Sequence, residues 1–437
     1  PLDEEVPSRL AAALIRLDLA RRSGNIQVAA SAAAQTESLL GWMPPDRLTR
    51  HPEVRAQVLS GRAAVEMAAG RLDDAARSLD ESAAVAGSPY EWADCVGRRA
   101  IVEAVRGRFG RAAKLGETTT SAAASSRPGI AWYPSAAAEV ALAWVHLERN
   151  QLSRAADRLS RVEGALRIRQ DRLIGAVAWL VAARLSLARG RPDTATAMVS
   201  RARLGWSVPP WLEQRLALTD SLARTAAGDL EAALDAAERS GPPSSPRGAI
   251  ALARVRLTAG ETRAAARLLA SVSTTSAGET PDDIRLEARL LEAELAYASG
   301  SPDRGRRSLE HALKLAKSER LLLPIAIQRA WIEPVLRRDP RLAEIFRRVF
   351  DAVPAGSTRH RGQVTAEENA PVLVERLSDR ELEVLRLVST LLSTAEIAEQ
   401  MYLSVNTVKS HLKSIFRKLG ANHRGEAVRR ARQLGIL

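Results

Sequence analysis

The chain has 437 residues, a formal net charge of +13 at neutral pH and one cysteine, Cys95. This length exceeds one ordinary globular core unless the chain is built from repeats, and the positive charge favours a polyanionic partner such as nucleic acid. A single cysteine excludes a disulfide framework and fits a reducing cytoplasm. The longest apolar run, Leu173 to Ala183, is too short to span a bilayer, and no signal peptide can be recognised. We therefore expect a cytoplasmic protein without a membrane partner.

Eight similar segments follow one another along most of the chain; "AAVEMAAGRLDDAARSL" and "ARVRLTAGETRAAARLL" are two of them. Each is punctuated by a glycine or an asparagine, and five residues later comes an alanine or a glycine. Seven residues before the punctuation lies another small residue, except in the first segment, which has Leu17. A helix that ends at such a turn, followed by a second helix in close contact with it, predicts a stack of helical hairpins. The eight turn residues are Gly24, Gly70, Gly107, Asn150, Gly190, Gly228, Gly260 and Gly300.

This pattern resembles tetratricopeptide repeats and predicts that residues 1–350 form a helical-repeat solenoid, a sensor or interaction domain. Helical segments around Leu321 to Leu336 and Arg341 to Phe350 are expected to cap it. Stacked hairpins of this kind expose a long concave surface. All eight tryptophans lie in this region. They either line a ligand groove on that surface or pack between the helices, and the sequence leaves both alternatives open.

Residues 351–376 contain two prolines and two glycines without helical periodicity, which predicts a linker. After it, Ser378, Ser393 and Ser404 are suitable N-caps for three short helices, and Glu381 and Glu396 complete capping boxes with the first two. A fourth helix is predicted to begin near Arg424. The very short connection between the second and third helices is typical of a helix-turn-helix.

The third of these helices is amphipathic and contains no acidic residue. The positions expected to face a core are Val405, Val408, Leu412, Ile415 and Leu419. A solvated amphipathic helix would mix glutamates among the lysines, whereas a helix in the major groove presents lysine, arginine, asparagine and serine to base edges. The sequence therefore predicts double-stranded DNA as a partner. The opposite face carries Asn406, Ser410, Lys413 and Arg417, flanked by Thr407, Lys409 and Ser414.

The motifs "LSDRELEVLRLV", "LSTAEIAEQMYLSVNTVKSHLKSIFRKLG" and "EAVRRARQLGIL" resemble the LuxR-type DNA-binding domain, without a gap, over residues 377–437. With tetratricopeptide-like repeats ahead of it, the chain resembles the large LuxR regulators of the MalT type. The resemblance implies an all-α bacterial transcription regulator that binds DNA as a homodimer through the fourth helix. It also implies RNA polymerase as a further partner and an effector ligand or protein at the repeats. By position it implies base contacts from Lys409, Ser410 and Lys413, and DNA-backbone contacts from Asn406, Thr407, His411, Arg417 and Lys418.

Regulators of the MalT type carry a nucleotide-binding ATPase domain ahead of the repeats. This chain has no G-x-x-x-x-G-K-[ST] and opens on Pro1, so we expect either that such a domain has been cut away or that the protein never had it. His423 stands where the family has a Ser or Thr cap on the fourth helix, and Gly425 follows in the first turn. We therefore expect the isolated DNA-binding domain to be largely monomeric.

Two other classes of function are weighed against a transcription regulator. A protein-interaction scaffold built on the repeats, with accessory DNA binding, is the alternative. An enzyme is not expected, because no nucleophile–base pair, carboxylate dyad or metal cluster lies within a plausible motif. The sequence accordingly predicts no catalytic residue, no metal site and no cofactor.

Overall fold

The computed structural model describes residues 2–43, 51–124, 135–168, 171–273, 281–351, 379–389, 394–401, 403–418, 427–428 and 431. Within these residues the chain forms α-helices and no strand, so the predicted all-α fold is confirmed. The chain divides into two compact units, Pro1–Pro354 and Ala355–Leu437. Apart from Asp351 the predicted linker, 351–376, lies outside the described residues, and the domain bounds taken from the sequence stay a prediction.

The described part of the first unit begins with sixteen helices that pair, in chain order, into the eight expected hairpins. They are α1 Leu2–Ser23, α2 Ile26–Gly41, α3 Pro52–Ala68, α4 Leu72–Ala84, α5 Pro89–Val105, α6 Phe109–Ala124, α7 Ser135–Glu148, α8 Leu152–Ile168, α9 Arg172–Ala188, α10 Pro192–Arg203, α11 Pro210–Ala227, α12 Leu230–Arg239, α13 Pro246–Thr258, α14 Thr262–Ser273, α15 Asp282–Ala298 and α16 Pro302–Glu319.

The turn inside each hairpin falls on the residue that the sequence predicts. The seven glycines have φ between 71° and 83°, and Asn150 has φ 56°, so all eight adopt the left-handed conformation that ends a helix. The small residues five positions later are all buried, and Gly305 lies against Tyr297 on the first helix of its hairpin. These observations confirm the hairpin prediction in each of the eight repeats.

Leu17, the exception to the small-residue pattern, is accommodated by a glycine in the next hairpin. Leu17 is 2% exposed on α1. Gly61 on α3 lies directly against it, because a Cβ added to Gly61 would be 2.3 Å from Leu17 Cδ2. In the other repeats the residue at this position is small. Here it is Leu17, and the glycine at position 61 of the neighbouring hairpin leaves the space that the leucine side chain needs.

The array winds back on itself, so that turns and helix ends of the first four hairpins contact later hairpins and the cap. The expected long concave surface stays a prediction, and these contacts cover the side of the array that carries the turns. The contacts that cover it are Arg21 Nη1 to Asp171 Oδ2 (2.6 Å), Trp211 Nε1 to the Met67 carbonyl (2.7 Å), the Gly110 amide to Glu319 Oε2 (2.8 Å) and the Leu322 amide to the Glu148 carbonyl (2.8 Å).

The tryptophans with described side chains mainly pack between helices, which is the second of the two alternatives. Trp144 is fully buried and donates to Glu148 Oε1 at 3.1 Å. Trp206 covers the turn of the first hairpin, since a Cβ on Gly24 would lie 2.5 Å from its ring. Trp42 differs because it is 75% exposed, and Trp132 lies outside the described residues.

Three further helices follow the repeats, where the sequence predicts a cap. They are α17 Leu323–Ile327, α18 Arg329–Arg338 and α19 Pro340–Asp351. Leu342 and Val349 of α19 are buried, and Phe346 stacks on Phe350 with ring centroids 4.5 Å apart. The apolar face of α19 packs against α16 and so covers the end of the hydrophobic core.

In the described part of the second unit, three helices begin one residue after the serines predicted as caps. They are α20 Asp379–Ser389, α21 Thr394–Gln400 and α22 Val405–Lys418. Ala427, Val428 and Ala431 are helical as well, and both alanines are fully buried. The rest of the predicted fourth helix, including His423 and Gly425, lies outside the described residues.

Candidate nucleic-acid interface

A small hydrophobic core holds the helices of the second unit together. Valine, leucine and isoleucine side chains from α20, α21 and α22 meet in it, and Ala427 and Ala431 close it from the side of the fourth segment. Because apolar burial is the dominant favourable term in folding, this core fixes α22 against the other helices. Its fully buried members are Val384, Leu385, Ile397, Val408, Ile415, Ala427 and Ala431.

The connection between α21 and α22 is tight and hydrogen bonded. The Met401 amide donates to the Ile397 carbonyl at 3.0 Å, and the Leu403 amide donates to the Ala398 carbonyl at 2.9 Å. Ser404 then caps α22, since its Oγ accepts from the Thr407 amide at 3.1 Å. The predicted N-cap is thus confirmed, and two short helices joined in this way form a helix-turn-helix.

The buried stripe of α22 follows the prediction with one exception. Val408 and Ile415 are fully buried, and Leu412 packs against the core from a half-buried position. Val405 was expected in the core but is 41% exposed. It is the first residue of α22 and follows the turn directly, so its side chain lies beyond the edge of the small core. Leu419, the last predicted member of the stripe, lies outside the described residues.

The residues predicted to contact DNA all belong to α22, and the structure describes the surroundings of four of them. Ser410 is exposed, whereas Thr407, His411 and Lys418 are half-buried. Thr407 Oγ1 lies 2.8 Å from Ser404 Oγ, so its hydroxyl takes part in the helix cap. For Asn406, Lys409, Lys413 and Arg417 the helical backbone is described and the side chains are not. The assignment of base and backbone contacts therefore stays a prediction.

A buried carboxylate on α20 holds the last turns of α22, which sequence reasoning missed. Glu381 is 5% exposed, and it accepts hydrogen bonds from Ser414 Oγ at 2.6 Å and from Lys418 Nζ at 2.8 Å. The sequence assigned Glu381 to a capping box and Lys418 to a DNA phosphate. The sequence did offer one signal for this contact: an acid on the first helix of the domain and a lysine at the end of the third helix have opposite charges and suit an ion pair.

This arrangement is able to present one face of α22 to a groove of double-stranded DNA. The helix is anchored on its other face by Val408, Ile415 and the Glu381 contacts, and no acidic residue lies along it to repel phosphates. Among the described residues no group of three or more His, Cys, Asp and Glu is arranged to hold a metal ion. None of the described helices has the length and hydrophobicity needed to cross a membrane.

The fold and the site define a helix-turn-helix DNA-binding domain that follows a helical-repeat array. Comparison with protein families agrees with both parts. Residues 375–431 match the model of bacterial regulatory proteins of the luxR family, and residues 11–338 match the MalT-like TPR region. The chain belongs to the family of proteins with a MalT-like TPR region, and its match to the luxR family covers the C-terminal domain.

Two curated proteins illustrate the relationship at sequence level. The HTH-type transcriptional activator RamA of Corynebacterium glutamicum is 34% identical over 164 residues, which cover 36% of this chain and 53% of RamA. The transcriptional regulatory protein YdfI of Bacillus subtilis is 47% identical over 62 residues, which cover 14% of this chain and 29% of YdfI. The chain thus spans about half the length of RamA and a smaller share of YdfI.

Among solved structures, a Rap protein complexed with competence and sporulation factor superposes with a TM-score of 0.45 and 11% sequence identity. The superposition covers 71% of this chain and 98% of the Rap chain.

Proposed function

We propose that this chain is a sequence-specific DNA-binding transcription regulator whose repeats respond to an effector ligand or a partner protein. The observation that carries the proposal is α22, a helix locked on one face into a core and free of acidic residues on the other. Such a helix suits the major groove, where lysine and serine side chains reach base edges. The match of residues 375–431 to bacterial regulatory proteins of the luxR family, and the similarity to an HTH-type transcriptional activator, support the proposal.

Within this proposal Lys409, Ser410 and Lys413 read bases, and Asn406, Thr407, His411, Arg417 and Lys418 contact the DNA backbone. The protein binds DNA as a homodimer through the segment that contains Ala427 and Ala431, and it acts in the cytoplasm, where RNA polymerase is a further partner. Catalysis is not part of the proposed role, since the relatives are regulators. Residues 1–350 form the sensing domain, 351–376 the linker and 377–437 the DNA-binding domain.

The decisive experiment selects bound sequences from random DNA and then measures affinity for the selected operator. We expect two half-sites about one helical turn apart, because two-fold related recognition helices enter successive major grooves on one side of the duplex. Lys409→Ala and Lys413→Ala are each expected to weaken operator binding by about 1–3 kcal/mol and to relax the preference at one base position.

Arg380→Ala is the matched control, because Arg380 is an exposed cation on α20 that pairs with Glu383 and lies off α22. It is expected to leave the base preference unchanged. Equal losses for operator and random DNA in both lysine variants would contradict base reading. A single protected half-site, bound without cooperativity, would contradict the dimer.

A further inference from the structure

A partly open chamber lies within the repeat array, where the first helices of hairpins four to eight converge. The helices α7, α9, α11, α13 and α15 surround it, and α17 of the cap covers one side. Its volume is about 60 Å³. Since a single water needs roughly 10–15 Å³ of such space, the chamber has room for a ligand of about four to six non-hydrogen atoms.

The chamber has one apolar wall and one charged wall. Helical spacing produces this division: Arg215, Leu218 and Leu222 lie along one face of α11, and Leu180, Arg184 and Leu187 along one face of α9. The apolar wall is completed by Leu323 and Ile327. The charged wall comprises Glu148, Arg184, Arg215, Arg247, Asp283 and Glu287.

The charged wall carries three guanidinium groups and three carboxyl groups, and the arginines differ in how closely an acid approaches them. Arg184 forms a close ion pair with Glu148. Arg215 and Arg247 share one oxygen of Asp283, at 3.8 Å from Arg215 Nη1 and 3.6 Å from Arg247 Nη2. Both distances exceed those of hydrogen bonds, so Asp283 leaves donor groups of both arginines available to another acceptor.

Arg215 lies in surroundings that disfavour its positive charge. It is 8% exposed, donates to the Val105 carbonyl, and lies 5.2 Å from the centre of the Trp144 ring. Burial, together with the neighbouring guanidiniums of Arg247 and Arg184, lowers the pKa of Arg215 to about 9. Burial also raises the pKa of Glu287, which lines the same wall. A negative charge placed on Arg215 and Arg247 would therefore stabilise these two cations.

We propose that the chamber binds a small organic carboxylate, with its carboxylate on Arg215 and Arg247 and its hydrocarbon part against Leu218 and Leu222. The apolar wall favours an organic acid over inorganic phosphate, and the volume limits the acid to a short chain. Because the surrounding helices come from five hairpins, an occupied chamber ties these hairpins together. That regulatory reading rests on the proposed function, whereas binding of the carboxylate does not.

The test is calorimetric titration of the full chain with propionate and butyrate in a buffer free of other carboxylates. Propionamide matches propionate in size without its charge, and inorganic phosphate carries charge without the hydrocarbon. We expect saturable binding of the carboxylates with one site per chain, and at least tenfold weaker binding of the amide and of phosphate. Equal binding of propionate and propionamide, or no saturation at millimolar propionate, would overturn the proposal.

Arg247→Gln removes one of the two proposed ligands from a position less buried than Arg215, and we expect it to weaken butyrate binding at least tenfold. Arg256→Gln is the matched control, because Arg256 lies on the same helix, outside the chamber, paired with Glu261. It is expected to bind butyrate within twofold of the parent chain. Leu222→Phe fills the chamber without changing charge and should abolish binding while thermal unfolding shows a folded chain.

DNA affinity measured with and without butyrate separates the two proposals. If butyrate binds but operator affinity does not change, the chamber stands and its regulatory role fails. If the operator is bound but no carboxylate is, the proposed DNA-binding function stands and the chamber assignment is wrong.

Discussion

Glu381 and Lys418 join the first and third helices of the DNA-binding domain through side chains that are 6% and 15% exposed. An ammonium group has three N–H donors, and one of them is directed at Glu381 Oε2. The ion pair therefore fixes where the Lys418 ammonium group lies on α22. The same carboxylate accepts a hydrogen bond from the Ser414 hydroxyl, so Glu381 contacts α22 at two successive turns.

Substitutions at these two residues should separate the structural from the DNA-binding role of Lys418. Glu381→Gln removes the buried anion but no cation, so we expect a loss of about 1–3 kcal/mol of domain stability with an unchanged salt dependence of DNA binding. Lys418→Met should lose comparable stability and also flatten the salt dependence by about one unit of slope. Urea unfolding of both variants and DNA affinity at several salt concentrations measure the two effects.

Glu383→Gln is the control for this pair of variants, because Glu383 is 53% exposed and forms an exposed pair with Arg380. It should change stability by less than about 1 kcal/mol. An unchanged salt dependence in Lys418→Met would mean that the charge of Lys418 is fully engaged by Glu381, and the proposed phosphate contact would then be wrong.

Helix pairing within each hairpin could be predicted from local spacing, because it depends on residues only a few turns apart. Gly61 shows where that reasoning stops: the sequence marks Leu17 as an exception but does not reveal which residue compensates. The compensating glycine lies in another hairpin, and only the packed structure brings the two together. The same holds for Glu381 and Lys418, which are 37 positions apart and match no short motif.

Gly61→Ala tests this contact between the first two hairpins. A Cβ at this position would lie 2.3 Å from Leu17 Cδ2, so we expect the free energy of unfolding to fall by about 1–3 kcal/mol. In a Leu17→Ala background the clash is absent, and the same substitution should be neutral or stabilising by up to about 1 kcal/mol, because alanine favours the helix. Urea unfolding followed by tryptophan fluorescence reports on the repeats, since all eight tryptophans lie there.

Gly41→Ala serves as the control, because a Cβ at Gly41 would meet nothing within 4 Å. It should not destabilise the repeats. A Gly61→Ala effect of the same size with and without Leu17 would show that helix α3 itself, rather than the contact with α1, requires the glycine.

The winding of the repeat array depends on contacts that no local pattern reveals. Asp171 lies at the centre of one such contact. It is the N-cap of α9, and its Oδ2 accepts from Arg21 Nη1 of the first hairpin at 2.6 Å and from Arg98 Nη2 of the third at 2.8 Å. Arg98 also pairs with Asp94 at 2.8 Å. Contacts between hairpins so far apart follow from the pitch of the whole superhelix, which is why sequence spacing could not predict them.

Asp171 should make the stability of the repeats depend on pH. The Arg98 and Arg21 guanidiniums outweigh the cost of burial and lower the pKa of Asp171 to about 2. Its contribution is therefore complete above the pKa of the unfolded chain, near 3.8, and is lost as pH falls toward 2. Between about pH 5 and pH 3 the parent chain should lose about 1 kcal/mol more unfolding free energy than Asp171→Asn does.

Tryptophan fluorescence during urea unfolding at a series of pH values measures this difference. Asp193→Asn, an exposed acid in the first turn of α10, is the matched control and should follow the parent chain. Parallel stability curves for the parent and Asp171→Asn would show that the buried cluster does not carry the acid sensitivity.

We expect the repeats to restrain the DNA-binding domain until an effector or a partner is bound. Restraint requires contacts that compete with DNA or with dimerisation, because a tether without differential contacts shifts no equilibrium. A coupling of about 1–3 kcal/mol is enough for a regulatory response. Since the DNA-binding domain has a hydrophobic core of its own, residues 372–437 can be tested alone.

The isolated segment should bind the selected operator at least as tightly, per domain, as the full chain. Both must be measured at one salt concentration, because the basic repeats could add affinity that is independent of sequence. Random DNA of equal length provides that correction, and Lys413→Ala in each background checks that the same recognition helix is used. Operator binding tenfold weaker in the isolated segment would mean that the repeats assist DNA binding, and the restraint model would be wrong.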